Sequence, residues 1–236
     1  MPFLVAIDLS APSRHAIEVA ALLARATGLT PLLLHVAEHD PTLHQLADLY
    51  GLAEPLRALG SNPSLRTEEG DPATCICAQA VARGCAFVVM GTHGRRSTAV
   101  EEPGSVARSV MARARIPVVA VRPQVAPRGA SPASLGGVVS LVEKGASSPA
   151  ATRIAGLLAG ALHCRLLRAP AAGDRGTASL ADGTTSTCPS HVVISVDPVR
   201  PALGWVEQIL QREPATVVLV SDRPFAWGVS NATPEG

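Results

Sequence analysis

The sequence predicts an α/β protein built around a parallel β-sheet. Short apolar runs recur along the 236-residue chain and alternate with longer segments that have a helical pattern. The run from Phe87 to Met90 is apolar at every position, as expected for a strand that is buried on both faces. Within residues 3–36 the order is strand, helix and strand, which is the pattern of a parallel βαβ unit. Hydrophobic residues make up 47% of the chain, which is enough for a substantial core.

Composition and charge exclude some classes of function. The chain has a net charge of +1 at pH 7 and a sequence pI near 7.7. This balance gives no broad basic surface for the phosphate contacts that nucleic-acid binding requires, so nucleic acid is not expected as a partner. Aromatic residues make up only 3%, and we therefore expect a core of Ala, Val, Leu and Ile.

The cysteines and the apolar runs indicate the compartment. Cys75, Cys77, Cys85, Cys164 and Cys188 show neither the pairing pattern of a secreted scaffold nor a Cys-x-x-Cys metal spacing, and we expect them to be reduced. No apolar run approaches the roughly 18 residues of a membrane span, and the N-terminus enters a strand pattern without a basic leader. The sequence predicts a soluble, cytoplasmic protein without a membrane partner.

The first βαβ unit sets the order of elements. Phe3 to Ile7 is predicted as the first strand, and Asp8 would stand at its carboxyl end. The helical pattern runs from Ala16 to Ala26 and ends at Gly28. Pro31 to Val36 is the second predicted strand, so Asp8 lies at the edge where parallel strands end.

Three histidines lie at the end of the second strand and in the segment after it. His35, His39 and His44 would suit a metal, but their spacings fit no single helix face, and Pro41 interrupts any helix between the first two and the third. A metal site is therefore not favoured. We expect a loop and a helix here, with a buried stripe made of Leu43, Leu46, Leu49, Leu52 and Leu56.

The third βα unit is shorter. Leu65 to Glu68 is predicted as a weak edge strand. Asp71 would cap the next helix, and Pro72 would occupy its first position, where no backbone hydrogen bond is lost. Residues 73–83 form the predicted helix, which Gly84 ends.

The stretch after Met90 has the ingredients of a phosphate-binding loop. Gly91 and Gly94 lack a Cβ that would hold a ligand away from the backbone. Gly104 and Ser105 precede the helical pattern from Val106 to Arg115, whose first N–H groups would face an anion. Ser105 can cap that helix or donate its hydroxyl to a phosphate.

Two readings of these glycines remain open at this point. Arg95 and Arg96 add positive charge nearby, which favours an anion site. The glycines would also be explained by tight turns alone, and their spacing does not decide between the two.

A family resemblance bears on this choice. Gly91-Thr92-His93-Gly94, nine further residues and Gly104-Ser105 resemble the Gly-x-x-Gly-x9-Gly-Ser/Thr motif of the ATP-binding universal stress proteins. The segment from Val5 to Ser10 resembles the first strand of that family with its terminal aspartate, and Leu34 to Val36 resembles its second strand. Gly70 to Ala73 resembles the start of its third helix. The similarity covers residues 2–123.

The resemblance implies a fold and a ligand position. The family has a Rossmann-like, adenine nucleotide alpha hydrolase-like sheet of five parallel strands in the order 3-2-1-4-5, flanked by helices. Strands one and four would then be neighbours at the switch point, where open α/β sheets bind ligands, and Asp8 would lie beside Gly91. Adenine would lie near Asp8 and the backbone of Val36. The alternative role for Asp8 is to cap a helix or order a loop.

The resemblance also implies a set of site residues and a cofactor. The implied cofactor is ATP or AMP, with Mg²⁺ accompanying ATP. The implied nucleotide-binding residues are Ala6, Ile7, Asp8, Ser10, Val36, Met90, Gly91, His93, Gly94, Arg95, Gly104, Ser105 and Val106.

Efficient catalysis is not expected, and no residue is predicted as catalytic. Hydrolysis would need a base and a metal near the γ-phosphate, for which His93, Glu101 and Glu102 are the nearby candidates. The family often has histidine at the first of these positions, and inward-facing glutamates would repel phosphate. The segment has no lysine of the kind found in P-loops. We expect nucleotide-responsive binding in a stress or regulatory role, with a slow ATPase and a non-nucleotide interaction module as alternatives.

The second half repeats the same alternation in shorter form. Ile116 to Val121 is predicted as the fifth strand, and since Pro117 has no N–H, we expect this strand to begin at a sheet edge. Residues 125–137 are rich in Pro, Ala, Ser and Gly and are predicted as a linker. The predicted later strands are residues 138–142, 165–167, 191–196 and 216–220, and the predicted helices are residues 148–162 and 202–212.

This second half resembles a degenerate copy of the first. Glu143 and Lys144 follow its first strand in place of aspartate, and residues 197–201 contain two prolines where the first half has glycines. We expect no nucleotide there. The predicted division is a nucleotide-binding domain at 1–124, the linker, a shortened domain at 138–224 and a C-terminal tail at 225–236.

Pairing of the last strands would make the two halves an intramolecular pseudo-dimer. Residues 118–121 would then lie against residues 217–220, which covers two strand edges that otherwise invite aggregation. A protein partner of unknown identity is also expected from the resemblance, and association of two chains into a homodimer is left open.

Overall fold

The computed structural model describes residues 1–37, 41–93, 104–122, 135–143, 148–170, 188–196 and 216–221. These residues form nine strands and six helices. The strands are β1 (Pro2–Ile7), β2 (Thr30–Ala37), β3 (Ser64–Glu69), β4 (Val88–Gly91), β5 (Val118–Arg122), β6 (Leu135–Glu143), β7 (Arg165–Pro170), β8 (Cys188–Val196) and β9 (Thr216–Ser221). The helices are α1 (Ala11–Thr27), α2 (Leu43–Gly51), α3 (Glu54–Ala58), α4 (Pro72–Ala82), α5 (Ser105–Arg113) and α6 (Pro149–Ala161).

All nine strands belong to one sheet, in the order β3-β2-β1-β4-β5-β9-β8-β6-β7. The first five have the predicted order 3-2-1-4-5 and pair in parallel, which confirms the predicted fold class. β3 lies at one edge of the sheet, as expected. Among the described residues the second half contributes four strands, ordered as β2, β1, β4 and β5 are in the first half.

The two halves join through their last strands. β5 and β9 pair in antiparallel fashion, with Val119 opposite Val220 and Val121 opposite Val218, as the sequence predicts. The expectation that β5 begins at an edge is wrong, since β5 lies between β4 and β9. Pro117 precedes the first residue of the strand, so its missing N–H removes no hydrogen bond between the strands.

Helices cover both faces of the sheet. One buried cluster contains residues of α1, α3 and α6, and a second cluster on the other face contains residues of α4 and α5. Phe3 and Phe87 both belong to the first cluster, and their rings stack with centroids 4.7 Å apart. The guanidinium of Arg25 donates a hydrogen bond to the carbonyl of Ala161 and so links α1 to the end of α6.

The predicted leucine stripe is correct in its second part. Leu49, Leu52 and Leu56 are buried, but Leu43 is 86% exposed. A spacing of three residues falls about 60° short of a full helical turn at each step, so Leu43 lies about 120° away from Leu49 around the helix. The chain then divides this segment into α2 and α3.

The sequence signals for helix ends agree with the structure. Asp71 caps α4, and its carboxylate accepts hydrogen bonds from the Thr74 hydroxyl at 2.5 Å and the Thr74 N–H at 2.9 Å. These bonds hold the pKa of Asp71 below its ordinary value. Gly28 ends α1 with φ of 68°, a left-handed conformation that glycine adopts readily.

β6 begins at Leu135, inside the range predicted as linker. Several other predicted segments cannot be compared with the structure. The rest of that linker, the helix predicted at 202–212, residues 197–201 and the tail at 225–236 lie outside the described residues. No helix in the described ranges has the length and apolar character needed to cross a membrane.

Cys85 provides a test of the packing before β4. Its side chain is 1% exposed, and burial raises the pKa of its thiol from 9.0 to about 11, with a smaller opposing effect from Arg83. The unfolded chain ionises first as the pH rises, so the free energy of unfolding should fall between about pH 9 and pH 11. We expect urea unfolding at about pH 8 and about pH 10.5 to show a larger loss for the wild type than for Cys85→Ala. Equal losses in the two proteins would contradict this burial.

Candidate functional site

A cavity of about 1010 Å³ opens at the carboxyl ends of β1, β2 and β4. β2 lies on one side of β1 and β4 on the other, so this edge is the switch point at which open α/β sheets bind ligands. The cavity is lined by Ala6, Ile7, Asp8, Ser13, Leu34, His35, Val36, Ala37, Pro41, Thr42, Gln45, Gly70, Pro72, Ile76, Met90, Gly91, Thr92, His93, Gly104, Ser105, Val106 and Ala107.

Asp8 lies at the end of β1 and is held by the first turn of α1. Its Oδ1 accepts hydrogen bonds from the Ser10 N–H at 3.1 Å, the Ser10 hydroxyl at 2.5 Å and the Ser13 hydroxyl at 2.6 Å. Ser10, not Asp8, is the N-cap of α1. The capping alternative for Asp8 is therefore wrong, while its role in ordering the turn is confirmed alongside its place in the cavity wall.

The turn that carries Asp8 is strained. Leu9 has φ of 62°, which non-glycine residues rarely adopt. The conformation turns the chain sharply between β1 and α1, and the hydrogen bonds to Asp8 oppose its relaxation. Such strain is typical of places where the surrounding contacts hold a side chain in a fixed position.

The end of β2 forms the second part of the wall. His35 is 4% exposed, and its Nδ1 lies 2.9 Å from the carbonyl oxygen of Ile7. A carbonyl can only accept, so Nδ1 carries the proton. Val36 follows at the cavity and packs partly against the second buried cluster. Of the other two histidines, His44 lies 3.8 Å from Asp48, and His39 lies outside the described residues.

The third part of the wall joins the end of β4 to the start of α5. The Gly104 N–H donates to the Thr92 carbonyl at 2.7 Å, and the Thr92 N–H donates to the Val121 carbonyl at 2.9 Å. A Cβ on Gly104 would lie 3.4 Å from the Thr92 carbonyl oxygen. These contacts place the first turn of α5, whose N–H groups have no partner within the helix, against the cavity.

Most of the predicted site residues come together in this cavity. Ala6, Ile7, Asp8, Val36, Met90, Gly91, His93, Gly104, Ser105 and Val106 line it. Ser10 does not line it but contacts Asp8, and Gly94 and Arg95 lie outside the described residues.

Sequence reasoning missed the side of the cavity formed by α2. Thr42 caps this helix in a reciprocal capping box with Gln45, and both residues line the cavity together with Pro41. The pattern Thr-x-x-Gln was present in the sequence and would have predicted a helix that begins after Thr42. Ser13 was also missed as a wall residue.

The fold and the cavity define a Rossmann-like α/β protein with its binding edge at the switch point. A family model described as the universal stress protein family matches residues 1–122, which is more than half of the chain. The chain belongs to the universal stress protein family. A search among curated proteins returned no match.

Solved structures match the chain over nearly its whole length. A universal stress protein from Archaeoglobus fulgidus is 15% identical over 95% of this chain and 96% of its own, with a TM-score of 0.60. A protein of unknown function from Pseudomonas aeruginosa is 18% identical, with 94% and 92% covered and a TM-score of 0.59. The cytoplasmic domain of a prokaryotic cation chloride cotransporter is 12% identical, with 94% and 95% covered and a TM-score of 0.61. At these identities the likeness shows the fold alone.

Proposed function

We propose that the first half binds an adenine nucleotide, ATP or AMP, in the cavity at the switch point and responds to it as a regulatory binding protein. The observation that carries this proposal is the convergence of Asp8, Gly91 and Gly104 from three separate segments on one cavity wall. Membership in the universal stress protein family supports it.

The phosphates would lie at the start of α5. A helix N-terminus attracts anions through its N–H groups and its dipole, and Gly91 and Gly104 leave the backbone accessible there. The Ser105 side chain is exposed and would donate its hydroxyl to a phosphate oxygen. Mg²⁺ would accompany ATP, because this ion is commonly held through the phosphates of its nucleotide.

The base would lie over the apolar part of the wall. Ala6, Leu34, Ile76 and Met90 are buried residues that line the cavity on the face covered by α4 and α5. The backbone of Val36 would bind one edge of adenine. The carboxylate of Asp8 would accept a hydrogen bond from the exocyclic amino group, where guanine has a carbonyl oxygen instead.

Binding with little turnover fits this wall better than efficient hydrolysis. At the phosphate end His93 is the described titratable residue, and its Nδ1 lies 2.8 Å from the Thr92 hydroxyl. A slow ATPase would need this histidine or Glu101 and Glu102, which lie outside the described residues, to orient water. Phosphate release from ATP, measured for the wild type and for His93→Ala, would distinguish binding with little turnover from slow hydrolysis.

The second half would serve as a structural partner. Its described strands repeat the order of β2, β1, β4 and β5, as a shortened copy of the first domain would.

Residues 94–103 connect His93 to Gly104, and both ends of this connection line the cavity. A bound nucleotide would constrain it and so change a surface that a protein partner recognises.

Release of bound nucleotide is the experiment that tests the proposal. The freshly purified protein is denatured, and the released small molecules are identified by mass spectrometry and counted per chain. About one adenine nucleotide per chain would support a binding first half and a structural second half. Two per chain would overturn the assignment of the second half. None, with no binding on addition of ATP and Mg²⁺, would favour an interaction module without nucleotide.

Asp8→Ala should weaken ATP binding by about ten- to a hundredfold, because a hydrogen bond to a charged group contributes about 1.5–3 kcal/mol. The preference for ATP over GTP should fall with it. Titration calorimetry with both nucleotides measures the effect, and Asp48→Ala is the control, since Asp48 is an exposed carboxylate on α2. Equal affinity of the wild type for ATP and GTP would argue against this placement of adenine.

A further inference from the structure

Ser13 has more contacts with Asp8 than a helix start requires. Its side chain is 3% exposed and lines the cavity. Its hydroxyl donates to Asp8 Oδ1 at 2.6 Å and accepts from the Asp8 N–H at 3.0 Å. One serine therefore binds both the backbone and the carboxylate of a single residue.

The second half shows what the helix start needs. Ser148 caps α6 as Ser10 caps α1, and in both helices the cap oxygen accepts an N–H from the residue three positions later, at 3.1 Å and 3.4 Å. That residue is Ala151 in α6 and Ser13 in α1. Because alanine suffices in α6, the Ser13 hydroxyl is not required for capping.

The hydroxyl instead fixes the direction of the Asp8 carboxylate. Three donors meet on Oδ1, and two of them are the hydroxyls of Ser10 and Ser13. A carboxylate held in this way loses little side-chain freedom when a ligand binds, which raises affinity without adding a contact. The left-handed φ of Leu9 is held in place by the same contacts.

We propose that Ser13 is a positioning residue of the nucleotide site, which acts on the base through Asp8 without contacting it. This inference rests on the proposed function and adds a residue to it. Ser13 presets the Asp8 carboxylate toward the amino group of adenine, so it contributes both to affinity for ATP and to discrimination against GTP.

A double-mutant cycle with ATP as the probe tests this role. Ser13→Ala should lower ATP affinity about five- to tenfold and reduce the preference over GTP in the same direction. In the Asp8→Ala background the same substitution should have no further effect, because its target is gone. Ser148→Ala is the matched control: it changes a buried serine at the corresponding helix start and should leave ATP affinity unchanged.

The outcomes separate this inference from the proposed function. Two results would overturn the positioning role if the wild type still binds ATP. One is that the effects of Ser13→Ala and Asp8→Ala are additive, and the other is that Ser13→Ala binds ATP as tightly as Ser148→Ala does. Failure of the wild type to bind ATP or AMP would overturn both. If Ser13→Ala does not fold, Ser13→Thr and Ser13→Val replace it. These two side chains have nearly equal volume, and only the threonine should retain affinity close to the wild type.

Discussion

Gly104→Asp should abolish nucleotide binding and leave the fold intact. Gly104 lies at the N-cap of α5 with φ of −59°, a conformation that any residue adopts, and its Cβ would meet no atom closer than 3.4 Å. Aspartate is a favoured N-cap residue, so the helix should be as stable as before or slightly more so. Its carboxylate would stand where the phosphates bind, and two like charges about 4 Å apart repel by about 4 kcal/mol near a protein surface.

The affinity for ATP should therefore fall by at least about a hundredfold, with the circular-dichroism spectrum and melting temperature preserved. Gly104→Asn is the matched control, because asparagine is equally large and equally good at the N-cap but uncharged. We expect it to bind more tightly than Gly104→Asp, and the difference measures the repulsion. Unchanged affinity in Gly104→Asp would place the phosphates elsewhere.

Leu219→Asp should destabilise the whole chain by more than about 4 kcal/mol. Leu219 lies in β9 opposite Ala120 of β5, is 0% exposed and belongs to the buried cluster that also contains residues of α4 and α5. Its substitution places a charge without a partner between the two halves. Both halves should lose stability, because the cluster extends across their junction.

Urea unfolding followed by circular dichroism measures this loss. Thr216→Asp is the control on the same strand, since Thr216 is only partly buried and should cost less than about 1 kcal/mol. The opposite result would be that the wild type unfolds in two separate transitions and that Leu219→Asp shifts only one of them. The two halves would then be stable independently of each other.

The sequence was sufficient to predict the helices and strands of the first half, because its local signals agree with one another. Gly28 and Asp71 mark helix ends, the apolar runs mark strands, and both types of signal agree with the structure. The prediction that Asp8 lies near Gly91 also required the strand order. That order came from the family resemblance, and the sheet confirms it. Periodicity alone does not specify which strands are neighbours.

The errors had both long-range and local causes. Pro117 suggested a sheet edge, yet it precedes a strand that is central because β9 pairs with it. Leu43 fitted an apolar pattern but is exposed, since the pattern drifted around the helix. The role of Ser13 was not visible in the sequence, because a serine in the first turn of a helix looks the same whether it bonds to the backbone or to a carboxylate.

The junction of β5 with β9 also has a consequence for synthesis of the chain on the ribosome. The N–H of Val118 donates to the hydroxyl of Ser221, so the two partners are 103 residues apart in sequence. Translation adds about 5–20 residues per second, so the edge of β5 would remain unpaired for roughly 5–20 seconds before β9 is synthesised. During that interval a folded first half would offer the edge to any neighbouring nascent chain. Rapid covering of this edge by a chaperone, or slow folding of the first half, would therefore favour correct pairing.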